Sequence, residues 1–216
     1  MTENDRDPFV IRFIEDEIDI QIADYESWDL ADEIAIDKYW SGEPAPSERH
    51  CQARLLWSAK SFYARFVAAQ FEPLVVSSAP NADTKTLNLW DRDVCEIFVA
   101  PDTREPGRYF EFEAAPTGEW VDLGIEATAD SRRVDLEYVS GMKTASKVRA
   151  AEFVTIIQIP LEAFGLLPKP GTVWLGNLFR CVGSGTTRGY LAWRPTCTPE
   201  PNFHVPESFG KFVFQK

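Results

Sequence analysis

The sequence predicts an all-β protein, a mostly antiparallel β-sandwich of the jelly-roll type with one or two short helical turns. Short runs of β-branched and aromatic residues recur along the chain and are bounded by Gly, Pro, Asp and Asn. Long segments with the 3.6-residue period of an amphipathic helix are missing. At 216 residues the chain has a usual length for one sandwich, so a single domain over residues 1–216 is expected.

The predicted strands follow one another along most of the chain. In order they are Gln52–Trp57, Phe62–Ala69, Val94–Ala100, Arg108–Ala114, Glu119–Leu123, Val134–Val139, Phe153–Ile159, Val173–Val182, Tyr190–Trp193 and Lys211–Phe214. One helical turn is predicted at Pro160–Phe164, because Pro suits the first helical position and Gly165 can end the turn. So many strands with so little helix indicate a sandwich or a closed barrel.

The segment from residue 24 to residue 40 carries many acidic residues and lacks clean alternation. We predict a loop there, followed by an edge strand near Glu33–Asp37. Its large rings, Trp28, Tyr39 and Trp40, are expected to fill the core rather than to contact a ligand.

The composition restricts the partners that the protein can have. A formal charge of −12 repels polyphosphate and anionic lipid, so neither nucleic acid nor a membrane is expected as a partner. No run reaches the ~18 consecutive apolar residues of a membrane span. The start of the chain lacks the features of a secretory signal, so a cytoplasmic location is expected as the sequence stands. A processed chain would instead be extracellular or periplasmic.

The four cysteines, Cys51, Cys95, Cys181 and Cys197, lie far apart in the sequence and form no CxxC pair. This spacing is not that of a metal site. Free thiols are expected in a reducing compartment, and one disulfide is left open.

Two strands joined by an Asp-, Pro- and Gly-rich loop, Val94–Ala100 and Arg108–Ala114, predict a β-hairpin. Because strand side chains alternate between faces, Glu111 and Glu113 share one face, and Glu96 lies among apolar neighbours. A carboxylate in such a strand must find hydrogen-bond donors or lose its charge. It forms a structural ion pair, or it accepts hydrogen bonds from a polar ligand. The candidate ion-pair partners are Arg108, Arg180 and Arg194.

Aromatic residues stand at two irregular places. Trp90 lies in a loop that enters the hairpin, where a Trp either fills the core or serves as a binding platform. As a platform, its ring would suit the apolar face of a pyranose. The proline-rich tail carries Trp193, predicted as core, and Phe203. Beside Phe203, His204 either donates to a ligand hydroxyl or pins the loop. Asn202 likewise either contacts the ligand or holds the loop, because Asn commonly stabilises a turn.

These residues resemble a known family. The motifs are Trp90-x-x-Asp93-x-x-Glu96-Ile97-Phe98, the Tyr-Phe-x-Phe-Glu strand with Pro116 and Gly118, and Trp193-x-Pro195 followed by Pro201-Asn202-Phe203-His204-x-Pro206-x-x-Phe209-Gly210. Together they are similar to carbohydrate-binding module family 9, and most of all to its free-standing members. The resemblance covers nearly the whole chain and is weakest in the N-terminal third.

The resemblance implies a β-sandwich that binds a mono- or oligosaccharide without cleaving it. It implies that Trp90 and Phe203 hold the sugar between them, with Phe203 where the family has a second Trp. Glu96 matches a family acceptor for sugar hydroxyls, whereas Glu111 and Glu113 fall where the family has Arg and Asn. No cofactor is required; the family's structural calcium is left open, as is the oligomeric state. The candidate ligand-binding residues are Trp90, Glu96, Glu111, Glu113, Asn202, Phe203 and His204.

Three other functions stay open. Acidic pairs, Asp93 with Glu96 or Glu111 with Glu113, could serve a glycoside hydrolase as acid and base. Similar sandwiches carry haem on Met and His ligands, for which this chain offers only Met1, Met142, His50 and His204. Met142 is predicted to lie in a loop, Gly141–Lys147. The aromatic cleft could also bind another protein.

Overall fold

The computed structural model describes residues 8–128 and 131–216, which form fourteen strands joined by loops and single 3-10 turns. The strands are β1 (Phe9–Phe13), β2 (Glu33–Ile36), β3 (Lys38–Tyr39), β4 (Cys51–Trp57), β5 (Ser61–Ala69), β6 (Val94–Ala100), β7 (Arg108–Ala114), β8 (Trp120–Ala127), β9 (Arg132–Asp135), β10 (Lys143–Val148), β11 (Glu152–Pro160), β12 (Val173–Val182), β13 (Gly189–Ala192) and β14 (Gly210–Gln215). The 3-10 turns are Glu26–Leu30, Ser47–Arg49, Leu89–Asp91, Leu161–Phe164, Gly185–Thr187 and Pro206–Ser208.

The strands form two halves of a sandwich that remain connected by hydrogen bonds. One half has the order β10-β11-β5-β4, with β2 beside β4, and the other has the order β14-β12-β6-β7-β8-β9, with β13 beside β12 and β3 beside β13. Strand β1 joins them through parallel pairs with β4 and β14. Every other pairing among the described strands is antiparallel, which confirms the predicted fold class.

The main core lies between the two halves. Strands β4, β5 and β11 supply one side of it and β6, β7 and β12 the other, with every second side chain directed inward. Phe66 and Phe153 from the first half belong to the same buried cluster as Ile97, Phe112 and Leu178 from the second. The inner face of each half is therefore mostly apolar.

Each half also carries apolar residues on its outer face. Over β4, β5 and β11 these pack with Trp28 and the N-terminal loop. Over β6, β7, β8 and β12 a second cluster contains Phe98, Tyr109 and Phe179 and is covered by Phe203 from the tail. This second outer face carries the candidate site described below.

Most predicted strands lie within a residue or two of the observed ones, and two predictions need correction. Val134–Val139 is wrong as a strand, because pairing of β9 with β8 ends at Asp135 and leaves Leu136 and Val139 exposed. The predicted loop at Gly141–Lys147 is instead largely the edge strand β10, whose polar sequence conceals it. Strands β1 and β3 were not anticipated.

The other expectations can be compared directly with the structure. Trp28 is buried, and Tyr39, Trp40 and Trp193 pack against buried clusters, as predicted. The helical turn ends at Gly165, whose φ of 69° is left-handed. All four cysteines are free thiols. None of the described helices has the length and apolar character needed to cross a membrane.

Candidate functional site

A cleft of about 350 Å³ opens on the outer face of β6, β7 and β12. Six of the seven predicted site residues line it: Trp90, Glu96, Glu111, Asn202, Phe203 and His204. The seventh, Glu113, is fully buried and does not line it. A second cavity of about 450 Å³ beside Tyr138 and Phe164 is larger, but it contains none of these residues. The structure thus gathers residues from distant parts of the chain at one place.

Three carboxylates form the floor of the cleft. Glu96 on β6 pairs directly with Glu113 on β7, and Glu111 follows two residues away on the same face. One oxygen from each residue lies within 4.8 Å of the other two. All three side chains are buried. The alternation of side chains along the hairpin places them on one face and so brings them together.

Few hydrogen-bond donors reach these carboxylates. The Cys181 thiol on β12 donates to Glu96 Oε1 at 3.2 Å. Glu111 Oε2 and both oxygens of Glu113 accept no hydrogen bond from the residues that the structure describes, as long as all three groups are ionised. A hydrogen bond between Glu111 and Glu113 requires a proton on one of them.

Two of the predicted arginine partners of Glu96 are wrong. Arg180 lies on the inner face of β12 and donates to the carbonyl oxygens of Arg49, His50 and Ala69. Arg108 is exposed and pairs instead with acidic residues of its own surface. Arg194 lies with its guanidinium 4.4 Å from the centre of the Trp193 ring.

Burial dominates the electrostatics of the floor. Together with the charge of Glu111, it raises the pKa of Glu96 to about 8, although the hydrogen bond from Cys181 opposes the shift. Burial and the neighbouring Glu96 and Glu111 charges raise the pKa of Glu113 well above its ordinary value. Burial also raises the pKa of Glu111. The floor therefore holds three negative charges only at a cost, unless protons or a cation join them.

Arg188 is the cation whose charge acts on both Glu96 and Glu113. Its guanidinium already donates to the carbonyl oxygens of Gly183, Trp90 and Arg92 at 2.6–2.7 Å. It also lies 3.6 Å from Asp93. Its hydrogen bonds therefore fix the backbone around Trp90 and leave the carboxylate floor without a direct donor from this side chain.

Trp90 belongs to the short turn Leu89–Asp91, which follows Asn88 in a left-handed conformation. Asp93 anchors the end of this loop by accepting backbone hydrogen bonds from Val75 and Gly183. The Trp90 ring is only partly buried and packs against the outer cluster. Part of its surface is therefore available to a ligand in the cleft.

Phe203 is more deeply placed than Trp90. Its ring stacks on Phe179 with centroids 4.0 Å apart and an interplanar angle of 12°, and Tyr190 meets it edge-on. Only 8% of the residue is exposed. One face of the Phe203 ring therefore packs against the protein, and only its small exposed surface can contact a ligand.

The tail loop is held by its own polar groups. Asn202 Oδ1 accepts from the His204 backbone N–H, which is the turn-stabilising role considered for Asn202. His204 Nδ1 and the Tyr109 hydroxyl are hydrogen bonded at 2.9 Å, and His204 Nε2 lies 3.9 Å from Glu111 Oε2. Burial, reinforced by Arg132, lowers the pKa of His204 to about 3. The imidazole is thus neutral at pH 7, and the Glu111 contact is not an ion pair.

The residues considered for glycoside hydrolysis and for haem binding do not gather at the cleft as the sugar-binding candidates do. Asp93 accepts hydrogen bonds from backbone N–H groups and does not line the cleft. Glu113 is buried on the same strand face as Glu111, so the two do not face each other across the cleft. Met142 and His204 line different cavities. His50 Nε2 is hydrogen bonded to the Ala45 carbonyl oxygen. Met1 lies outside the described residues.

Sequence reasoning missed several residues of the site, among them Tyr109, Arg132, Cys181, Arg188 and Tyr190. Tyr109 had a signal, because it shares a strand face with Glu111. Cys181 and Tyr190 reach the cleft through the pairing of β12 with β6 and β13, which no local pattern specifies. Arg188 acts through backbone carbonyls, so its role depends entirely on the fold.

Comparison with known proteins agrees with this architecture. A family described as "Carbohydrate family 9 binding domain-like" matches residues 18–216. A candidate carbohydrate-binding protein from Bacteroides uniformis has a similar structure, with a TM-score of 0.74, 17% identity, and coverage of 97% of this chain and 100% of its own. A carbohydrate binding module family 9 from Caldicellulosiruptor kristjanssonii is also similar. In complex with glucose it gives a TM-score of 0.69, 13% identity, and coverage of 97% and 96%. In complex with cellotriose it gives a TM-score of 0.68 and 12% identity, with coverage of 97% of this chain and 94% of its own. No curated protein is significantly similar in sequence.

Proposed function

The chain belongs to the carbohydrate family 9 binding domain-like family, and from this premise we propose that it is a non-catalytic carbohydrate-binding protein. The observation that carries the proposal is the cleft itself, in which Trp90 and Phe203 lie beside the buried carboxylates Glu96 and Glu111. Aromatic rings bind the apolar face of a pyranose, and carboxylates accept hydrogen bonds from its hydroxyl groups.

The composition of the floor favours a ligand that donates hydrogen bonds. Glu96 and Glu111 are acceptors, and Arg132, the cation that lines the cleft, is exposed. A neutral mono- or oligosaccharide offers many hydroxyl donors and brings no negative charge to an acidic site. The relatives crystallised with glucose and cellotriose make these two sugars the first ligands to test.

The expected affinity is modest. Stacking of a base on an aromatic side chain contributes about 1–3 kcal/mol in other systems, and sugar stacking is taken as comparable. Two such rings contribute about 2–6 kcal/mol before the cost of ordering the ligand, which corresponds to a Kd of roughly tens of micromolar at best.

A calorimetric titration tests the proposal, with glucose, cellotriose and a panel of other neutral oligosaccharides. Trp90→Ala should weaken binding of the best ligand at least about tenfold, because the stacking surface is lost. Phe71→Ala removes an exposed ring outside the cleft and should leave the affinity unchanged. Absence of binding by the wild-type protein at millimolar concentrations of every sugar would overturn the proposal.

A further inference from the structure

The carboxylate floor has more acceptors than its surroundings supply donors. Glu96, Glu111 and Glu113 bring three carboxyl groups within 4.8 Å of one another, and Cys181 gives them one hydrogen bond. Both oxygens of Glu113 lack a donor among the described residues, although the residue is 0% exposed. A fully buried, unpartnered carboxylate directed at two others indicates that something positive belongs between them.

An organic ligand in the cleft does not account for Glu113. That residue is the one member of the floor that does not line the cavity. A sugar, or an ammonium group carried on one, can reach Glu96 and Glu111 from the cleft, whereas a bare ion is small enough to enter among all three carboxylates. Protons are the alternative, since a neutral Glu113 can donate to Glu111.

We propose that Glu96, Glu111 and Glu113 together bind one hard divalent cation, with Ca²⁺ as the best fit. Ca²⁺ takes six to eight oxygen ligands at about 2.3–2.6 Å, so two oxygens on the same ion lie at most roughly 5 Å apart, as these do. All three donors are carboxylates, which suit Ca²⁺, Mg²⁺ or Mn²⁺ rather than a softer metal. Mg²⁺ fits less well, because it demands near-ideal octahedral geometry with ligands at about 2.0–2.1 Å.

Such a cation would leave coordination positions directed toward the cleft. Three carboxylates cannot fill the shell of Ca²⁺ unless all bind through both oxygens. Vicinal hydroxyl groups of a sugar would then complete it. This step rests on the proposed function, while the cation site itself does not.

Cation binding is tested first and without sugar. The wild-type protein, freed of metal with a chelator and then exchanged into plain buffer, is titrated with Ca²⁺ by calorimetry and by its melting temperature. We expect binding of one ion and a rise in melting temperature, because a ligand of the folded state stabilises it. Glu113→Gln should weaken Ca²⁺ binding at least about tenfold, because it removes one of three charged ligands.

Glu119→Gln is the matched control, because Glu119 is a buried carboxylate outside the cleft that pairs with Arg92. It should retain Ca²⁺ binding. Equal Ca²⁺ affinity in the Glu113→Gln variant and the wild type would overturn the site, as would absence of binding by the wild type. Binding of Zn²⁺ with no response to Ca²⁺, Mg²⁺ or Mn²⁺ would overturn the assignment to a hard cation.

Sugar binding is then measured with saturating Ca²⁺ and with chelator. A loss of affinity of at least about tenfold in chelator supports coordination of the sugar hydroxyls by the ion. Equal sugar affinity in both conditions overturns that step and leaves the proposed function standing. Ca²⁺ binding without any sugar binding overturns the proposed function and leaves the cation site standing.

Discussion

Glu96 and Glu113 lie directly opposite each other on neighbouring antiparallel strands, with both side chains buried on the outer face of the sheet. Like charges in this relation destabilise a sheet, and here burial adds a desolvation cost. The third carboxylate, Glu111, increases the repulsion. When ionised and without a cation, this pair therefore lowers the stability of the folded state.

The first prediction concerns stability without metal. In the presence of a chelator at pH 8, Glu113→Gln should unfold at a higher temperature than the wild type. Gln keeps the shape of Glu, carries no charge and can donate to Glu96 or Glu111. A gain of about 1–3 kcal/mol in the free energy of unfolding raises the melting temperature of a chain of this size by several degrees. Circular dichroism measures this temperature.

The control for this measurement is Glu119→Gln, which breaks the ion pair with Arg92 and should lower the melting temperature. A decrease in the Glu113→Gln variant as well would show that the buried charge is satisfied in the folded state. The repulsion described for Glu96 and Glu113 would then be incorrect.

The two aromatic residues of the cleft should differ in their contribution to stability. Phe203 is nearly fully buried and stacks on Phe179, so Phe203→Ala should lower the free energy of unfolding by about 3–5 kcal/mol. Trp90 is only partly buried, so Trp90→Ala should cost clearly less. Urea denaturation measures both, and equal losses would contradict the different placements of the two rings.

The central hairpin could be predicted because local signals agree there. Alternation and turn residues define β6 and β7, and a period of two puts Glu111 and Glu113 on one face without any tertiary information. The edge strand β10 had no such signal, because its residues are mostly polar and pair on one side with β11.

The partners of Glu96 could not be predicted, because they depend on register. Residues Arg180 and Cys181 are adjacent on β12, and a shift of one residue would exchange their faces. The observed register pairs Arg180 with Cys95 and so directs it into the main core, which leaves the thiol of Cys181 to reach Glu96. Nothing in the local sequence of either strand distinguishes these two outcomes.

A third prediction concerns Lys85, which lies in a cage of oxygen atoms. Its ammonium group is 2.8 Å from the buried Asp122 Oδ1 and donates to the carbonyl oxygens of Asp122, Leu136 and Tyr138. Lys85→Met would leave a buried carboxylate and three carbonyl groups without this partner. The free energy of unfolding should fall by about 3–5 kcal/mol in urea denaturation.

Lys147→Met is the control for Lys85, since Lys147 is exposed on β10. Its effect should stay within about 0.5 kcal/mol. If Lys85→Met were equally mild, the cage would contribute little to stability, and the loop that contains Leu136 and Tyr138 would be held by other contacts.

The last prediction is a pH dependence that arises far from the cleft. Glu17 accepts hydrogen bonds from the hydroxyl groups of Ser58, Ser61 and Tyr63. Burial alone would raise the pKa of Glu17, but these three hydrogen bonds outweigh it and hold the pKa below its ordinary value of 4.5.

A carboxyl group with a depressed pKa stabilises the folded state above its unfolded pKa, and this contribution is lost as the pH falls through the folded value. The melting temperature of the wild type should therefore exceed that of Glu17→Gln at pH 6, and the difference should shrink steadily below about pH 4.5. Glu15→Gln, an exposed neighbour, should follow the wild type throughout. A difference that stays constant from pH 6 to pH 3 would contradict the lowered pKa, because it would show that the three hydroxyl groups stabilise the neutral acid as well as the carboxylate.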